Sequence, residues 1–122
     1  RNRAPLPDEI QACLPWLDAQ LTIIRPLVIV CLGAPSASLI IHKNFKILQE
    51  RGQWFTSRWA PAAIATLHPA YILRQAGASF QQGYQYLVQD LLAARQKVIE
   101  LRRLQEEQKL LPPNEEGQLS LF

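Results

Sequence analysis

The spacing of hydrophobic and polar residues divides the chain into helical and strand-like segments. Residues 7–24 carry apolar side chains at helical spacing and predict a helix, which Pro15 should kink. Pro7 suits the first turn of that helix, and the two acidic residues after it suit the positive helix end. The uncharged run at residues 27–32 predicts a strand that is buried on both faces.

A second strand is predicted at the apolar run of residues 62–67. Between the two strands, residues 33–41 are typical of a turn and a short helix, and residues 42–61 of an irregular crossover. A strand, a helical crossover and a second strand form a parallel, right-handed pair. The sequence therefore predicts an α/β fold.

The last helix is predicted to begin near Ser79 and to run far along the chain. Its apolar residues recur at alternating spacings of four and three, which places them on one face of the helix. They are Phe80, Tyr84, Leu87, Leu91, Ala94, Val98 and Leu101. Residues 102–109 are a mostly solvated extension because their acids offset their bases, the alternative being a DNA-binding helix, and Pro112 and Pro113 stop the helix. The chain is thus divided into a domain at residues 1–95, a polar helical extension at 96–111 and a flexible tail at 112–122.

His68 and Pro69 directly follow the strand predicted at residues 62–67. The proline stiffens the turn, so the imidazole is held where a ligand can reach it. Open α/β sheets place their chemistry at strand ends, which makes His68 a candidate functional residue. The alternative is a histidine that only caps the strand.

Three blocks of sequence carry a family resemblance: PDEIQACLPWL at residues 7–17, RPLVIVCLGA at 25–34 and TLHPAYILR at 66–74. In order and spacing they resemble the C-terminal half of the type-4, iron-sulfur uracil-DNA glycosylases over roughly residues 1–95. The resemblance implies the C-terminal half of a three-layer α/β/α sandwich with a parallel central sheet. It also implies hydrolysis of the N-glycosidic bond of uracil in DNA, a role in base-excision repair and a cytoplasmic location.

Several parts of the family pattern are absent from this sequence. Enzymes of the family begin with two closely spaced cluster cysteines and a Gly-Glu-Ala-Pro-Gly type loop that helps to position the attacking water. A phenylalanine that stacks on uracil, an asparagine that reads its edge and a third cysteine come next. We therefore expect the chain to be the second half of such an enzyme and to be inactive alone, whether through a truncated gene, an incomplete sequence or a trimmed chain.

The two cysteines have different interpretations. Cys31 lies within the apolar run and is expected to be a small core residue. The resemblance makes Cys13 the fourth ligand of a [4Fe-4S] cluster, which needs four thiolates. Because its three partners are absent, we expect no cluster on this chain alone, and the alternative for Cys13 is an ordinary helix cysteine. A disulfide between the two is disfavoured by a cytosolic context and by burial of Cys31.

The resemblance also implies roles for the residues around His68. This histidine would donate a hydrogen bond to the O2 atom of the departing uracil and so stabilise its negative charge. Ile72 and Leu73 would push into the base stack while Arg74 meets a phosphate, the alternatives being core packing and a solvated charge. His42 lies in no matched block and receives no role. The predicted DNA-contacting segment comprises Pro69, Ala70, Tyr71, Ile72, Leu73 and Arg74.

The last five residues match the pentapeptide by which many bacterial DNA-repair and replication proteins bind the β sliding clamp. They are Gln118, Leu119, Ser120, Leu121 and Phe122. A glutamine can hydrogen-bond at the edge of a groove while the apolar side chains fill pockets, and such a tail becomes ordered only on binding. The alternative is a chain end that packs on its own domain.

Composition is compatible with these interpretations and does not choose among them. The chain has 122 residues and a formal net charge of +3, a mild basic bias consistent with a nucleic-acid partner. No apolar run approaches the length of a membrane span, and residues 1–20 lack the pattern of a signal peptide. Two alternatives to a glycosylase half stay open: a non-catalytic remnant tethered to the clamp, and an unrelated α/β nucleic-acid-binding module with a coincidental His-Pro turn.

Overall fold

A computed structural model describes residues 7–111 and divides them into helices and strands much as the hydrophobic pattern predicts. In chain order the elements are α1 (Pro7–Ile24), β1 (Val28–Leu32), α2 (Ala34–Ile40), α3 (Ile47–Glu50), β2 (Trp54–Ser57), β3 (Ala60–Thr66), α4 (Pro69–Leu73) and α5 (Ala78–Leu110). The predicted first helix, both predicted strands, the short second helix and the long last helix are confirmed. The prediction that the first strand is buried on both faces is wrong, because in β1 only Cys31 is buried and Leu32 is 40% exposed. None of the described helices is long and apolar enough to cross a membrane.

The strands form one sheet in the order β1-β3-β2. β1 and β3 are parallel, in a register that runs from Val28 opposite Ala62 to Leu32 opposite Thr66. The parallel pair is therefore confirmed, and with it the α/β class. The sheet is mixed rather than parallel throughout, because β2 pairs antiparallel to β3.

β2 and α3 lie in the segment that the sequence suggested was an irregular crossover. β2 has the sequence WFTS and is joined to β3 by a turn at Arg58 and Trp59. Aromatic and β-branched residues favour strands, and a connection of two residues suits a tight hairpin. The hairpin is tied to α1 because the indole N–H of Trp59 donates a hydrogen bond to Asp18 at 2.7 Å.

Small side chains fill the centre of the sheet. β3 buries nearly every residue along its length, including Ala63, Ile64 and Ala65 at 0% exposure. Cys31 from β1 joins Phe45, Ala37 and Ala65 in a cluster on one side of the sheet. The prediction that Cys31 belongs to the core is confirmed.

The face that α5 turns inward differs from the predicted apolar stripe. Its buried residues are Gly83, Asp90 and Ala94, whereas Tyr84 is 54% and Leu91 is 45% exposed. Ala94 belongs to the predicted stripe, and its other members Phe80, Leu87, Val98 and Leu101 are half-buried. The stripe therefore faces inward except at Tyr84 and Leu91, whose neighbours Gly83 and Asp90 are buried instead. The proposed domain boundaries remain predictions, and the tail at 112–122 lies outside the described residues.

Candidate active site

His68 and Gly33 meet at the carboxyl ends of the two parallel strands. Gly33 follows β1 and donates its backbone N–H to the carbonyl of Thr66, the last residue of β3, at 2.9 Å. Its φ angle of +91° is one that residues with a Cβ atom rarely adopt. A Cβ atom at this position would lie 3.4 Å from the Cβ atom of His68. Gly33 therefore lets the histidine side chain lie against the turn that follows β1.

The ring of His68 is oriented by the first turn of α4. His68 is the N-cap residue of this helix, and its Nδ1 atom accepts a hydrogen bond from the backbone N–H of Ala70 at 3.0 Å. Pro69 suits the first helical position because it has no N–H that needs an acceptor. A neutral imidazole that accepts at Nδ1 carries its proton on Nε2. The exposed ring is thus held as an Nε2–H donor, and within residues 7–111 that nitrogen has no hydrogen-bond partner.

Ile72 and Leu73 are adjacent in sequence but lie in opposite environments. Leu73 is 75% exposed at the end of α4, whereas Ile72 is only 4% exposed. Ile72 packs on α5, where a Cβ atom at Gly83 would lie 3.2 Å from its Cγ1 atom. The prediction that both residues push into the base stack is therefore wrong for Ile72, whose side chain fills the contact between the two helices. Leu73 alone of the pair is placed to meet another molecule.

The other residues of the predicted DNA-contacting segment lie at or near the surface. Pro69 and Arg74 are exposed, Ala70 is half-buried, and Tyr71 is 37% exposed. Arg74 is the C-cap residue of α4 and so lies at the same end of the helix as Leu73. The structure brings these residues together on one short helix that begins at His68, and their contacts with DNA stay a prediction.

A buried ionic network that the sequence did not predict lies beneath this site. Asp90 of α5 is 3% exposed and accepts two hydrogen bonds from Arg51, at 2.9 Å from Nε and 2.8 Å from Nη2. The hydroxyl of Thr66 donates a third hydrogen bond to Asp90 at 2.5 Å. The hydrogen bonds to Asp90 raise the pKa of Arg51 further, and the guanidinium also stacks 4.0 Å from the ring centroid of Tyr86.

One close backbone contact completes this network. Gly52 donates its N–H to the carbonyl of Ala65 at 3.0 Å, and a Cβ atom at Gly52 would lie 3.0 Å from the Oδ1 atom of Asp90. The sequence signal that could have found the network is the aspartate between the apolar residues Leu87 and Leu91 of the last helix, together with the Arg51-Gly52 pair.

Residues 1–92 of the chain match the sequence profile of the Uracil DNA glycosylase superfamily. The chain belongs to this superfamily. It is 42% identical over 74 residues to the type-4 uracil-DNA glycosylase of Thermotoga maritima, a match that covers 60% of this chain and 38% of that enzyme.

Two further type-4 uracil-DNA glycosylases match the chain to a similar extent. The enzyme of Sulfurisphaera tokodaii is 42% identical over 79 residues, covering 59% of this chain and 36% of the relative. The enzyme of Archaeoglobus fulgidus is 38% identical over 79 residues, covering 59% of this chain and 40% of the relative. The matches span about two-fifths of the length of these curated relatives.

The thiols of this superfamily chain do not by themselves fit an iron-sulfur cluster. The sequence has two cysteines, and a [4Fe-4S] cluster takes four thiolates. Cys13 is exposed on α1, whereas Cys31 is buried, and both are free thiols. Burial raises the pKa of Cys31 despite an opposing hydrogen bond with Ser36. Residues 7–111 contain no group of three or more His, Cys, Asp or Glu side chains that could hold a metal ion.

The second histidine of the chain, His42, forms an ion pair with Glu50. Its Nε2 atom lies 2.9 Å from a carboxylate oxygen of Glu50, and its Nδ1 atom lies 2.8 Å from the carbonyl of Lys43. Because both ring nitrogens face acceptors, these contacts raise the pKa of His42, the Lys43 carbonyl being the larger cause. The ring also contacts Phe45 and Phe55 at centroid distances of 5.0 Å and 5.8 Å. These contacts hold α3 and β2 together.

Proposed function

We propose that the chain carries the leaving-group donor of a type-4 uracil-DNA glycosylase and forms the C-terminal half of that enzyme. The complete enzyme hydrolyses the N-glycosidic bond of uracil in DNA in base-excision repair, in the cytoplasm. Superfamily membership and the similarity to type-4 uracil-DNA glycosylases support this reaction. The observation that carries the proposal is the hydrogen bond from the Ala70 N–H to Nδ1 of His68, which keeps Nε2–H available as a donor.

His68 acts on the uracil as the bond to the sugar breaks. Negative charge then develops on the departing base, and a fixed N–H donor near its O2 atom stabilises that charge. A neutral ring suits this task, because its donor is already in place and no proton has to be supplied. Loss of one such donor slows a reaction of this kind by about 10²–10³-fold.

The end of α4 serves DNA binding. Leu73 fills the space that the flipped uridine leaves in the stack, and Arg74 contacts a neighbouring phosphate. Their exposure supports these roles, as does their position only five and six residues after His68. Pro69, Ala70 and Tyr71 form the surface between the donor and the wedge.

Cys13 supplies one of the four thiolate ligands of a [4Fe-4S] cluster in the complete enzyme. Its exposure on α1 supports this role, and the other three thiolates come from outside this sequence. A bound cluster would hold together the segments that ligate it. No step at the uracil depends on it.

The tail tethers the enzyme to the bacterial β sliding clamp. Its last five residues lie outside the described residues, so the support is the sequence itself. Gln118 provides the polar contact, while Leu119, Leu121 and Phe122 provide apolar anchors for a groove. Ser120 spaces these anchors. A clamp-bound enzyme would follow replication and meet uracil in new DNA.

A chimera tests the proposed reaction. The part of the Thermotoga maritima enzyme that corresponds to residues 1–95 is replaced by those residues, and uracil release is measured under single-turnover conditions. We expect the chimera to release uracil, and H68A to slow release by about 10²–10³-fold with little loss of DNA binding. H42A is the matched control, because His42 lies in a separate ion pair and should leave the rate unchanged.

Three results would contradict the proposal. A folded chimera without activity would favour a non-catalytic remnant or a DNA-binding module. Equal loss of rate in H68A and H42A would show that both histidines act only through folding. Full activity in H68A would remove the donor role altogether.

A further inference from the structure

One face of α5 holds the segment around His68 at both of its ends. Gly83 and Asp90 are seven residues apart, which is about two helical turns and about 10.5 Å along the axis, so they lie on the same face. Gly83 receives the side chain of Ile72 from α4. Asp90 receives the hydroxyl of Thr66 from β3.

The two contacts bracket the candidate donor along the chain. Thr66 comes two residues before His68, and Ile72 comes four residues after it. The carbonyl of Thr66 also accepts a hydrogen bond from the backbone N–H of Gly33. Thr66 therefore links the ends of β1 and β3, and its hydroxyl connects both strand ends to Asp90 on α5. A shift of α5 along its axis would therefore move both sides of the histidine together.

Burying a charged carboxylate at Asp90 to hold the end of β3 is unfavourable in itself. Removing a carboxylate from water is unfavourable, and a buried ion pair seldom stabilises a fold more than apolar residues of similar size would. Arg51 offsets this cost with two hydrogen bonds. A carboxylate that accepts three hydrogen bonds from two side chains is held in one geometry, whereas an apolar contact allows several. Its benefit is a fixed position of Thr66 relative to α5.

We propose that Gly83 and Asp90 are positioning residues, which act through Ile72 and Thr66 to hold the His68 imidazole in its Nε2–H form at the strand ends. Gly83 does so by letting α4 approach α5, since a larger residue would press on Ile72. Asp90 does so by fixing the hydroxyl of Thr66. The proposal deepens the proposed function and rests on it for the meaning of the donor, but the geometry that it claims can be measured without DNA.

The experiment uses the 122-residue chain and reads two signals by NMR spectroscopy. The first is hydrogen exchange of the Ala70 amide, compared with amides in β3 that report global stability. The second is the share of His68 rings that carry the neutral-form proton on Nε2. The variants are T66V, which loses the hydroxyl at constant shape, and G83A, which adds the methyl group that would meet Ile72.

Both variants should weaken the hydrogen bond between Ala70 and His68 more than they lower the global stability of the chain. We expect Ala70 exchange to rise about 10-fold relative to the β3 amides, the scale of one lost hydrogen bond, and the Nε2–H share to fall. G83A is especially informative, because alanine favours a helix more than glycine does, so helix propensity alone would make this substitution neutral or stabilising. T66S should restore the parent values, since it keeps the hydroxyl.

F45L is the matched control, because Phe45 is a buried core residue in a cluster that does not include His68. It should speed exchange in β3 and at Ala70 in parallel and leave the His68 ring unchanged. If T66V does not fold, G83A decides the question alone, and parent values for Ala70 and for the ring in G83A then overturn the proposal. Parent values for Ala70 and for the ring in both G83A and T66V would overturn the proposal.

In the chimera, T66V and G83A should each slow uracil release about 10-fold with little change in DNA binding. An inactive parent chimera would count against the proposed function alone, because the NMR result on the 122-residue chain would still stand or fall by itself. A loosened His68 ring with an unchanged rate of uracil release would support the positioning role of Gly83 and Asp90 and would count against His68 as the leaving-group donor.

Discussion

Asp18 accepts the indole N–H of Trp59 at 2.7 Å, a single hydrogen bond that links α1 to the β2–β3 hairpin. Trp59 is 9% exposed, so its N–H has little access to water when this acceptor is removed. Asp18 itself is half exposed and lies 3.6 Å from Arg58 in a second, weaker contact. The link therefore depends on the indole rather than on the surface ion pair.

D18A should lower the free energy of unfolding by about 1–3 kcal/mol, because it leaves a nearly buried donor without a partner. D18N should cost much less, since its amide oxygen can still accept. R58A is the control and should change stability by no more than about 1 kcal/mol, the value for an exposed pair. Urea denaturation of the three variants measures this. Equal costs for D18A and R58A would argue against the role of the indole.

D90A should be among the most destabilising single substitutions, at about 3–5 kcal/mol, because it leaves the half-buried Arg51 without its carboxylate. In the R51M background the same change should cost clearly less, since no charge is then stranded. A double-mutant cycle in urea tests this, with K97A as the control. Lys97 pairs with Glu100 near the surface, so K97A should cost less than about 1 kcal/mol. Additive costs for D90A and R51M would contradict the prediction.

The His42–Glu50 pair should give stability a pH dependence with a definite sign. The pKa of His42 is raised above its ordinary value of 6.5, so its contribution is fully present below pH 6.5 and is lost as pH rises through the raised value. The pKa of Glu50 is lowered below 4.5, chiefly by the Lys46 amide, so its contribution is present above pH 4.5 and is lost as pH falls through the lowered value. Both contributions are fully present between pH 4.5 and pH 6.5.

We therefore expect the urea midpoint of the parent chain, relative to that of H42Q, to be highest between pH 4.5 and 6.5 and to fall at higher pH. H68Q is the control, because His68 has no carboxylate partner among the described residues. A constant difference between parent and H42Q from pH 5 to pH 9 would show that the pair contributes nothing through its charge.

L73A should harm double-stranded substrates more than single-stranded ones in the chimera. A wedge is needed only where a base must leave a duplex stack, and Leu73 is exposed enough to act as one. Uracil release from the two substrates is compared under single-turnover conditions. I72A is the matched control: as a buried residue it should lower stability by about 2–5 kcal/mol without a preference between substrates. Equal loss on both substrates in L73A would assign Leu73 to packing.

A peptide that covers residues 114–122 should bind the bacterial β clamp with a Kd on the order of micromolar, as expected for a short segment with a few apolar anchors. Replacing both Leu121 and Phe122 by alanine should abolish binding, because each change empties a pocket. Replacing Glu115 by alanine should change little, since a charge in the spacer stays in water. Isothermal calorimetry measures all three. Unchanged binding by the double variant would make the sequence match a coincidence.

Elements formed by uninterrupted apolar runs were predictable from sequence. Residues 27–32 and 62–67 are uncharged, and they pair with each other as parallel strands, of which β3 is buried over nearly its whole length. β2 was missed because only four residues form it and two of them are polar. His68 was recognised from its place after a strand, but the bond from Ala70 that orients its ring depends on backbone angles that the sequence pattern does not specify.

Burial that depends on a distant partner was not predictable. Asp90 would normally lie on the solvent side of a helix. It faces the sheet because Arg51 supplies two hydrogen bonds, and this partner is 39 residues away in sequence. The family resemblance gave Ile72 the same surface role as Leu73. Ile72 instead packs on α5, where the glycine at position 83 leaves room for its side chain.

The two edges of the sheet are unequal, and this limits how a larger sheet can be built from it. β2 is four residues long, and its register with β3 is irregular between Phe55 and Ser57, so it offers a poor template for another strand. β1 pairs in regular register over all five of its residues, and in the described part of the chain its other side is open. Growth of the sheet is therefore one-sided. A further parallel strand beside β1 would end next to Gly33, so the residues following it would come to the same edge as His68.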